Sequence, residues 1–347
     1  MANGDTDLIQ AMMRPELYPH PCEQVEICQT MMSWVLFAGQ FAYKIKKPLR
    51  FPFYDATTAA KRCQLCADEV MLNRRLAPEV YIGVRCIVQR RHGYALTESL
   101  DGGDDVREFA LVMRRLPSER TLQRMASDGT ASASDIRTLA QTLAAFHASA
   151  SIEKSRVWGS AQAVSRLIAD NLSWAQNIAA DSVTRESLAA VGASARRYLN
   201  AHQQSLDARM RNGRVREGHG DLRCDCVFFV ADSPVILDCV EYSESLRYGD
   251  VISELASLAV DLDLAGRADL GYELMRAYSA ETNDSHLAEL LGLYKCYRAV
   301  LRGGLELLES LQTDLSTERR IAARDNARRL FALAETYMRS LFSNSVA

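Results

Sequence analysis

Proline is almost absent from the second two-thirds of the sequence. Six of the eight prolines lie in the first 80 residues, and after Pro117 only Pro234 remains. Because proline removes a backbone donor and breaks helices, the region after Pro117 is free to be helical. The region before it has β-branched and aromatic runs separated by turn signals, a pattern that predicts a small antiparallel sheet.

The sequence also lacks the signals of several other protein classes. No apolar run approaches the roughly 20 residues that a membrane span needs, and the N-terminus has no basic region of the signal-peptide kind. The 41 basic and 44 acidic residues give a net charge of -3 without long runs of one sign, so we expect no general binding to nucleic acid or membranes. The nine cysteines do not form the pattern of a small disulfide-rich domain. We therefore expect a cytoplasmic protein with reduced thiols.

Two glycine-rich nucleotide motifs are missing as well. No GxxxxGKS or GxxxxGKT occurs, which excludes the P-loop nucleotide kinases. The segment from Gln29 to Ser33, between the first two predicted strands, has no GxGxxG. Thr30 and Ser33 offer hydroxyl and backbone donors to a phosphate, and an ordinary polar turn is an equally good interpretation.

Local patterns predict the main elements of the two regions. A helix over residues 59–76 has no proline or glycine and ends before Ala77-Pro78, and a second helix begins at Ser134 with a stripe at Ile136, Leu139, Leu143 and Phe146. The predicted strands of the first region span residues 33–37, 41–45, 81–88, 94–97 and 109–113. Residues 227–230 and 235–237 are predicted to form a hairpin among the later helices.

One motif and the hairpin behind it carry the chemistry. His219-Gly220-Asp221-Leu222-Arg223 is followed by Ile236-Leu237-Asp238. Phosphoryl transfer needs a group that orients the acceptor hydroxyl, hard oxygen ligands for a metal, and cations for the phosphate charge. Asp221 suits the first role, Asp238 the second and Arg223 the third.

These segments resemble a known group of enzymes. His219-Gly220-Asp221-Leu222 resembles the HGDLH motif of the aminoglycoside phosphotransferase and choline kinase-like families, and Leu237-Asp238 with Glu241 resembles their IDxE segment. Segment 247–256 resembles their GDPxxDLA segment, and segments 42–48, 69–78 and 294–299 are similar to an uncharacterised bacterial branch. The resemblance covers most of the chain.

The resemblance implies a fold class, α+β, with the two-lobed protein-kinase-like architecture. Residues 1–116 are then an N-lobe of antiparallel sheet plus one helix, and residues 117–347 a mainly helical C-lobe that carries the catalytic loop and the acceptor site. ATP and Mg²⁺ are expected in the cleft between the lobes. The implied activity moves the γ-phosphate of ATP to a hydroxyl of a small molecule, and no motif specifies which acceptor or which oligomeric state.

The resemblance also implies roles for individual residues. Lys44 is expected to contact the α- and β-phosphates, with Lys46 as the alternative because both fall on one face of a strand. Glu69 is expected to hold that lysine. Met113 and Leu116, at the lobe boundary, are expected to offer backbone contacts to adenine. In the loop, His219 is expected to act as a hydrogen-bonding scaffold and Asp250 to brace the catalytic loop.

The sequence departs from the family pattern at Cys226. Five residues after the catalytic aspartate these families place an asparagine as second metal ligand, and a thiol is a poor ligand for Mg²⁺. Asp225, water or a site with one metal would then compensate. The alternative is a catalytically degenerate, kinase-like binding or regulatory protein.

Other residues allow further interpretations. Cys63, Cys66, Cys224 and Cys226 have spacings that a zinc site can use, although composition explains them more simply. His147 is interpreted as a packed or capping histidine. Four acidic residues suit either a cationic acceptor or a solvated surface, namely Glu241, Glu244, Asp261 and Asp263.

Overall fold

The chain divides into two compact units. The computed structural model describes residues 3–51, 53–91, 93–100, 104–155, 157–312 and 315–343. The first unit contains the chain up to Ser118 together with Val235–Glu244, and the second contains Glu119–Pro234 and the chain from Ser245. The first boundary lies two residues beyond the predicted position 116. Membership of Val235–Glu244 in the first unit was not predicted, since no local pattern reports that a segment packs with residues more than 100 positions earlier.

The first unit is built on a six-stranded antiparallel sheet with strand order β1-β2-β3-β8-β6-β7. The five strands predicted with bounds are present, each within a few residues of those bounds. The strands of this unit are β1 Val25–Gln29, β2 Ser33–Ala38, β3 Phe41–Lys46, β4 Arg50–Phe51, β5 Tyr54–Asp55, β6 Tyr81–Arg90, β7 Gly93–Thr97 and β8 Asp105–Arg114.

Two helices pack with this sheet through separate apolar clusters. Helix α1, Asn3–Met12, buries Leu8 and Met12 with one set of sheet residues, whereas α2, Ala59–Asn73, buries Cys66 and Val70 with another. The Thr58 side chain caps α2 by accepting a hydrogen bond from the Lys61 amide. Helix α2 ends three residues earlier than predicted, because the chain turns ahead of Pro78.

The second unit is mainly helical. Its helices are α3 Leu122–Ser127, α4 Ala133–Ser149, α5 Ala161–Ile178, α6 Ser182–Ala201, α7 Gln203–Arg211, α9 Val251–Leu264, α10 Ala268–Thr282, α11 Leu287–Ser310 and α12 Thr317–Ser343. The short helix α8, Glu244–Arg247, begins at the last residue of the first unit and continues into the second. The remaining strands along the chain are β9 Val215–Glu217, β10 Val227–Val230, β11 Ser233–Ile236 and β12 Tyr248–Asp250. The strands β9 and β12, which were not predicted, pair antiparallel.

Helix α4 confirms the predicted apolar stripe but begins earlier than predicted. Its cap is Ser132, whose side chain accepts from the Asp135 amide while the Asp135 carboxylate accepts from the Ser132 amide. This capping box, and not Ser134, fixes the helix start. The four residues of the predicted stripe, Ile136, Leu139, Leu143 and Phe146, are all buried.

Helix α9 is the buried centre of the second unit. Eleven of its 14 residues are buried, and it packs with α10 and α11. A helix that is buried nearly all round holds its side chains in fixed positions. Since β12 leads directly into α9, its first turn is placed beside the end of β9, where the predicted catalytic loop begins.

Across the described ranges, no helix combines the length and apolar character that crossing a membrane requires.

Candidate active site

The two candidate phosphate lysines lie on one face of β3. Lys44 Nζ donates to Glu69 Oε1 at 2.9 Å, and Lys46 Nζ donates to Glu69 Oε2 at 2.6 Å. Glu69 is fully buried on α2. The predicted contact between a lysine of this strand and Glu69 is therefore present, and one carboxylate holds both lysines because the two-residue period aims them at the same helix.

Each lysine also pairs with a carboxylate of Val235–Glu244. Lys44 Nζ lies 2.6 Å from Asp238 Oδ1, and Lys46 Nζ lies 2.5 Å from Glu241 Oε1. The Asp238 side chain is 52% exposed, whereas that of Glu241 is 9% exposed. Asp238 is therefore the carboxylate of this cluster that solvent, and hence a metal ion, can reach.

The pKa shifts follow from this arrangement of charges. Burial acts to lower the pKa of Lys44, but the charges of Asp238 and Glu69 outweigh it and the pKa is raised. Burial acts to raise the pKa of Glu69, but the two lysines outweigh it and the pKa is lowered. Burial is the largest influence on Glu241 and raises its pKa. The cluster thus keeps both lysines and Glu69 charged.

The backbone around Asp238 is fixed in an uncommon conformation. Asp238 has φ of 70°, a left-handed value that costs a non-glycine residue free energy and that is concentrated at functional sites. Its amide donates to the Tyr81 hydroxyl at 3.1 Å, and the next amide, of Cys239, donates to Asn73 Oδ1 at 2.9 Å. Sheet and helix together therefore aim the Asp238 side chain.

The residues predicted to contact nucleotide elsewhere in this unit are used within the fold. The Thr30 hydroxyl accepts from the Ser33 amide at 2.9 Å and closes the turn between β1 and β2, and Ser33 is 2% exposed. Met113 lies in the apolar cluster under α2, and Leu116 packs against it. A nucleotide contact by any of these four residues stays a prediction.

In the second unit, the predicted catalytic loop alternates between buried and accessible side chains. Leu222, Cys224 and Cys226 are buried, whereas the residues that alternate with them, Asp221, Arg223 and Asp225, are partly exposed. The loop turns at its end, where the Cys226 amide donates to the Arg223 carbonyl at 3.1 Å. The loop thus presents its charged residues on one side and anchors itself with the other.

Three charged side chains lie close together on the accessible side of the loop. Arg223 Nε lies 3.5 Å from Asp221 Oδ2 and 3.3 Å from Asp225 Oδ1. The side chains of Asp221 and Asp225 are 45% and 41% exposed. Arg223 thus lies close to both aspartates, and both are accessible to an acceptor or a metal ion.

Cys226 lies on the buried side of the same loop and is 5% exposed. Its Sγ lies 3.9 Å from Arg223 Nη2 and 3.5 Å from Asp225 Oδ1. The thiol therefore stands beside the carboxylate that was named as its substitute metal ligand. No cluster of three or more metal-ligating side chains of the His, Cys, Asp and Glu types is found in the parts of the chain that the structure describes.

Glu254, on the first turn of α9, holds the start of the catalytic loop. Its Oε1 accepts from the amides of His219 at 2.5 Å and Gly220 at 2.7 Å. Gly220 has φ of 92°, and a Cβ on Gly218 would collide with the Glu254 carboxylate. Glycine is therefore required at both positions, by conformation at Gly220 and by close approach at Gly218.

His147 of α4 connects this carboxylate to α10. Its Nε2 lies 2.9 Å from Glu254 Oε2 and its Nδ1 lies 2.8 Å from the Tyr278 hydroxyl. Burial acts to raise the pKa of Glu254, but His147, His219 and the Gly220 amide lower it to about 2. Ionised Glu254 only accepts, so Nε2 of His147 carries the proton, and in the neutral ring Tyr278 donates to Nδ1. The interpretation of His147 as a packed histidine is correct, and its contacts add a link to the loop.

Asp250, which was predicted to brace the loop, contacts α7 and the start of α9. Its carboxylate caps α9 by accepting from the Ile252 amide and forms a two-point pair with Arg209, at 2.6 and 2.8 Å. Arg209 also pairs with Asp284. Glu254 holds the His219 and Gly220 amides, and a role for Asp250 in bracing the catalytic loop stays a prediction.

The second half of the loop is held by α9 and α11. Asp261 Oδ2 accepts from the Cys224 amide at 2.8 Å, and Asp261 also pairs with Arg302. Arg298 Nη1 donates to the Gly220 carbonyl at 3.3 Å. Asp263 pairs with Lys295 at 2.6 Å. Of the four acidic residues considered for a cationic acceptor, Glu241, Asp261 and Asp263 are thus already paired within the fold.

Glu254 and Arg298 lie in segments that carry the family resemblance, but the sequence alone assigns these two residues no role. Glu254 occupies the position of the second acidic residue in the segment compared with GDPxxDLA, and Arg298 lies in segment 294–299. Their recurrence in a family pattern was a signal. Only the structure shows that both side chains bind the loop backbone.

Comparison with known proteins identifies relatives of this chain. The model of the phosphotransferase enzyme family matches residues 61–292. Uncharacterised proteins of Mycobacterium tuberculosis and Mycobacterium bovis are 31% identical over 291 residues, which are 83% of this chain and 56% of theirs. The chain therefore spans little more than half the length of these curated relatives.

Solved structures confirm the predicted fold class. A choline/ethanolamine kinase family protein from Mesorhizobium loti has a TM-score of 0.55 at 18% identity, covering 96% of this chain and 99% of that one. An amicoumacin kinase in complex with AMP-PNP and Ca²⁺ has a TM-score of 0.52 at 13% identity, covering 95% and 93%. The fold is kinase-like, with an antiparallel sheet in one unit and helices in the other.

Proposed function

Because this chain belongs to the phosphotransferase enzyme family, we propose that it transfers the γ-phosphate of ATP to a hydroxyl of a small molecule. The observation that supports this most strongly is the loop in which Asp221 and Arg223 lie together on the accessible side while Glu254 holds the backbone behind them. Phosphoryl transfer depends on such positioning and on cations placed for the phosphate charge.

Each charged residue then has a distinct role. Asp221 orients the acceptor hydroxyl and takes its proton, and Arg223 meets the γ-phosphate. Asp238 holds Mg²⁺ through a hard carboxylate oxygen, and Lys44, whose amine already contacts Asp238, meets the α- and β-phosphates. The kinase that was solved with AMP-PNP and Ca²⁺ supports the choice of a nucleotide and a divalent metal.

The acceptor can be sought directly. The protein with MgATP would be screened against a panel of amino alcohols, amino sugars and sugar alcohols, with ATP consumption and product mass as readouts. We expect one class to gain the mass of a phosphoryl group in step with ADP formation. Adenylylated products, or ADP formed without any modified acceptor, would contradict phosphoryl transfer to a small molecule.

Lys44 and Lys46 are expected to differ in what their loss affects. Lys44→Met should weaken ATP binding about 10–100-fold, since a charged hydrogen bond contributes about 1.5–3 kcal/mol. Lys46→Met should instead lower the free energy of unfolding by about 3–5 kcal/mol, because it removes the ion pairs that Lys46 forms with the buried Glu69 and Glu241. Calorimetric ATP titration and urea unfolding of both variants test this, and the reverse pattern would make Lys46 the phosphate lysine.

A degenerate, non-catalytic protein is the second candidate function, and the buried Cys226 favours it. If the site is active but lacks one hard oxygen ligand for the metal, Cys226→Asn should supply it, because an amide oxygen suits Mg²⁺ better than a thiol. The Mg²⁺ concentration for half-maximal nucleotide binding should then fall about tenfold. Cys226→Ala is the matched control and should give no such gain. A wild-type protein that binds no nucleotide with Mg²⁺ or Mn²⁺ would favour the degenerate alternative.

A further inference from the structure

A cavity of about 450 Å³ lies in the second unit, beside the residues that hold the catalytic loop. Its lining includes His147, Arg214, Arg216, Tyr278 and Glu281, and no residue of the loop from His219 to Cys226. The volume falls within the range of small-molecule sites, about 300–1,000 Å³. The cavity is therefore large enough for a ligand of its own.

Two opposite charges line this cavity without an ionic partner in the described ranges. Arg216 donates to three carbonyl oxygens, those of Ala148, Ala150 and Gly213, which fix the guanidinium but leave its charge uncompensated. Glu281 accepts from the neutral amide of Gln141 at 3.1 Å. Arg216 is on β9 and Glu281 lies on α10. The pair thus offers an anion site and a cation site in one cavity.

The third charge of the lining is already balanced. Arg214 donates to the Thr282 carbonyl at 3.1 Å and lies 3.8 Å from Asp284. Asp284 in turn joins Arg209 and Asp250 in a buried network of two arginines and two aspartates. Arg216 is partly buried and Glu281 is exposed, so both charges can be reached from solvent. A ligand with a single charge would pair with only one of these two groups, whereas a zwitterion would pair with both.

The wall of the cavity connects to the catalytic loop through three consecutive hydrogen bonds. Tyr278 bonds to His147, His147 to Glu254, and Glu254 to the amides of His219 and Gly220. Tyr278 and His147 are both almost fully buried. Arg216 lies three residues before His219, and Glu281 lies on α10 three residues after Tyr278. A ligand that pairs with both charges therefore joins the two ends of this chain of hydrogen bonds and changes how firmly the loop is held.

We propose that this cavity binds a small zwitterion of the α-amino acid class, with its carboxylate on Arg216 and its ammonium on Glu281, and that binding alters the stability of the catalytic loop. The site is separate from the acceptor site of the proposed function. Its test uses binding and backbone protection, so a failure of phosphotransferase activity would not affect it.

The binding test is calorimetric titration of the full chain with each of the 20 L-α-amino acids. For the amino acid that binds, the matched amine and the matched carboxylic acid, each lacking one charge, should bind at least about tenfold more weakly, the free-energy equivalent of one charged contact. Glu281→Gln and Arg216→Gln should each weaken binding by a similar factor. Glu273→Gln, on the same helix but outside the cavity lining, should leave it unchanged.

Three results would overturn the site. They are the absence of saturable heat for every amino acid up to about 10 mM, equal binding of a single-charge analogue, and an equal loss in Glu273→Gln. Since Arg216 also bonds to the backbone, Glu281→Gln decides the matter if Arg216→Gln fails to fold.

The coupling is tested by hydrogen exchange of the loop. Saturating ligand should change the protection of the His219 and Gly220 amides, and the Glu281→Gln variant at the same ligand concentration should not show the change. Unchanged protection at full occupancy would overturn the coupling.

Discussion

Asp221→Asn is expected to lower the rate of phosphoryl transfer by about 10²–10⁴-fold while nucleotide affinity changes little. Asp221 is the exposed carboxylate beside Arg223 at the end of the loop segment that Glu254 holds. An asparagine keeps the shape but cannot take the acceptor proton. Initial rates with a saturating acceptor, together with calorimetric titration of AMP-PNP, separate the two effects.

Asp232→Asn is the matched control for this prediction. Asp232 lies in the turn between β10 and β11, its side chain is 94% exposed, and its pair with Arg120 is long at 3.5 Å. An exposed pair of this kind contributes little, so the control should retain nearly full activity. If Asp221→Asn kept the activity of the control, Asp221 would not be the acceptor-orienting residue.

Glu254→Gln is expected to lower the free energy of unfolding by about 3 kcal/mol and to reduce turnover as well. Hydrogen bonds to a charged group each contribute about 1.5–3 kcal/mol, and Glu254 accepts from His147 and from two loop amides. A glutamine replaces one accepting oxygen by a donor, which then faces either His147 or the loop amides. Urea unfolding at neutral pH measures the stability change.

The difference in the free energy of unfolding between wild type and Glu254→Gln should depend on pH. In the folded protein the pKa of Glu254 is lowered from its ordinary value of 4.5 to about 2. Its contribution is thus fully present above about pH 5 and is lost as the pH falls from there towards 2. The stability gap between wild type and Glu254→Gln should therefore be constant from pH 7 to 5 and narrow below it.

Asp325→Asn, on the exposed surface of α12, supplies the control for Glu254. Its ion pair with Arg328 is mostly solvated, so the change should cost no more than about 0.5 kcal/mol. A stability gap for Glu254→Gln as small as that of the control, or one that grows as the pH falls, would contradict the role given to Glu254.

The features that depend on local periodicity could be predicted from the sequence alone. Lys44 and Lys46 fall on one face because side chains alternate along a strand, and the stripe from Ile136 to Phe146 is buried because it repeats with the helical period. These relations need no knowledge of tertiary structure.

The features that sequence reasoning missed depend on tertiary contacts. Asp250 and Glu254 both lie at the start of α9, and only the tertiary structure shows that the Glu254 carboxylate meets the His219 and Gly220 amides. The pairing of Glu241 with Lys46 and the link from His147 to Glu254 join residues about 100 positions or more apart. No periodic pattern reports such pairs.

The most direct test of the proposed ATP chemistry is calorimetric titration of AMP-PNP into wild type and Asp238→Asn, with and without Mg²⁺. The account predicts that Mg²⁺ tightens nucleotide binding to wild type and that Asp238→Asn loses most of this gain, because Asp238 is the accessible carboxylate of the lysine cluster. Wild type that binds no nucleotide with Mg²⁺, or an Asp238→Asn variant with an undiminished Mg²⁺ effect, would contradict it.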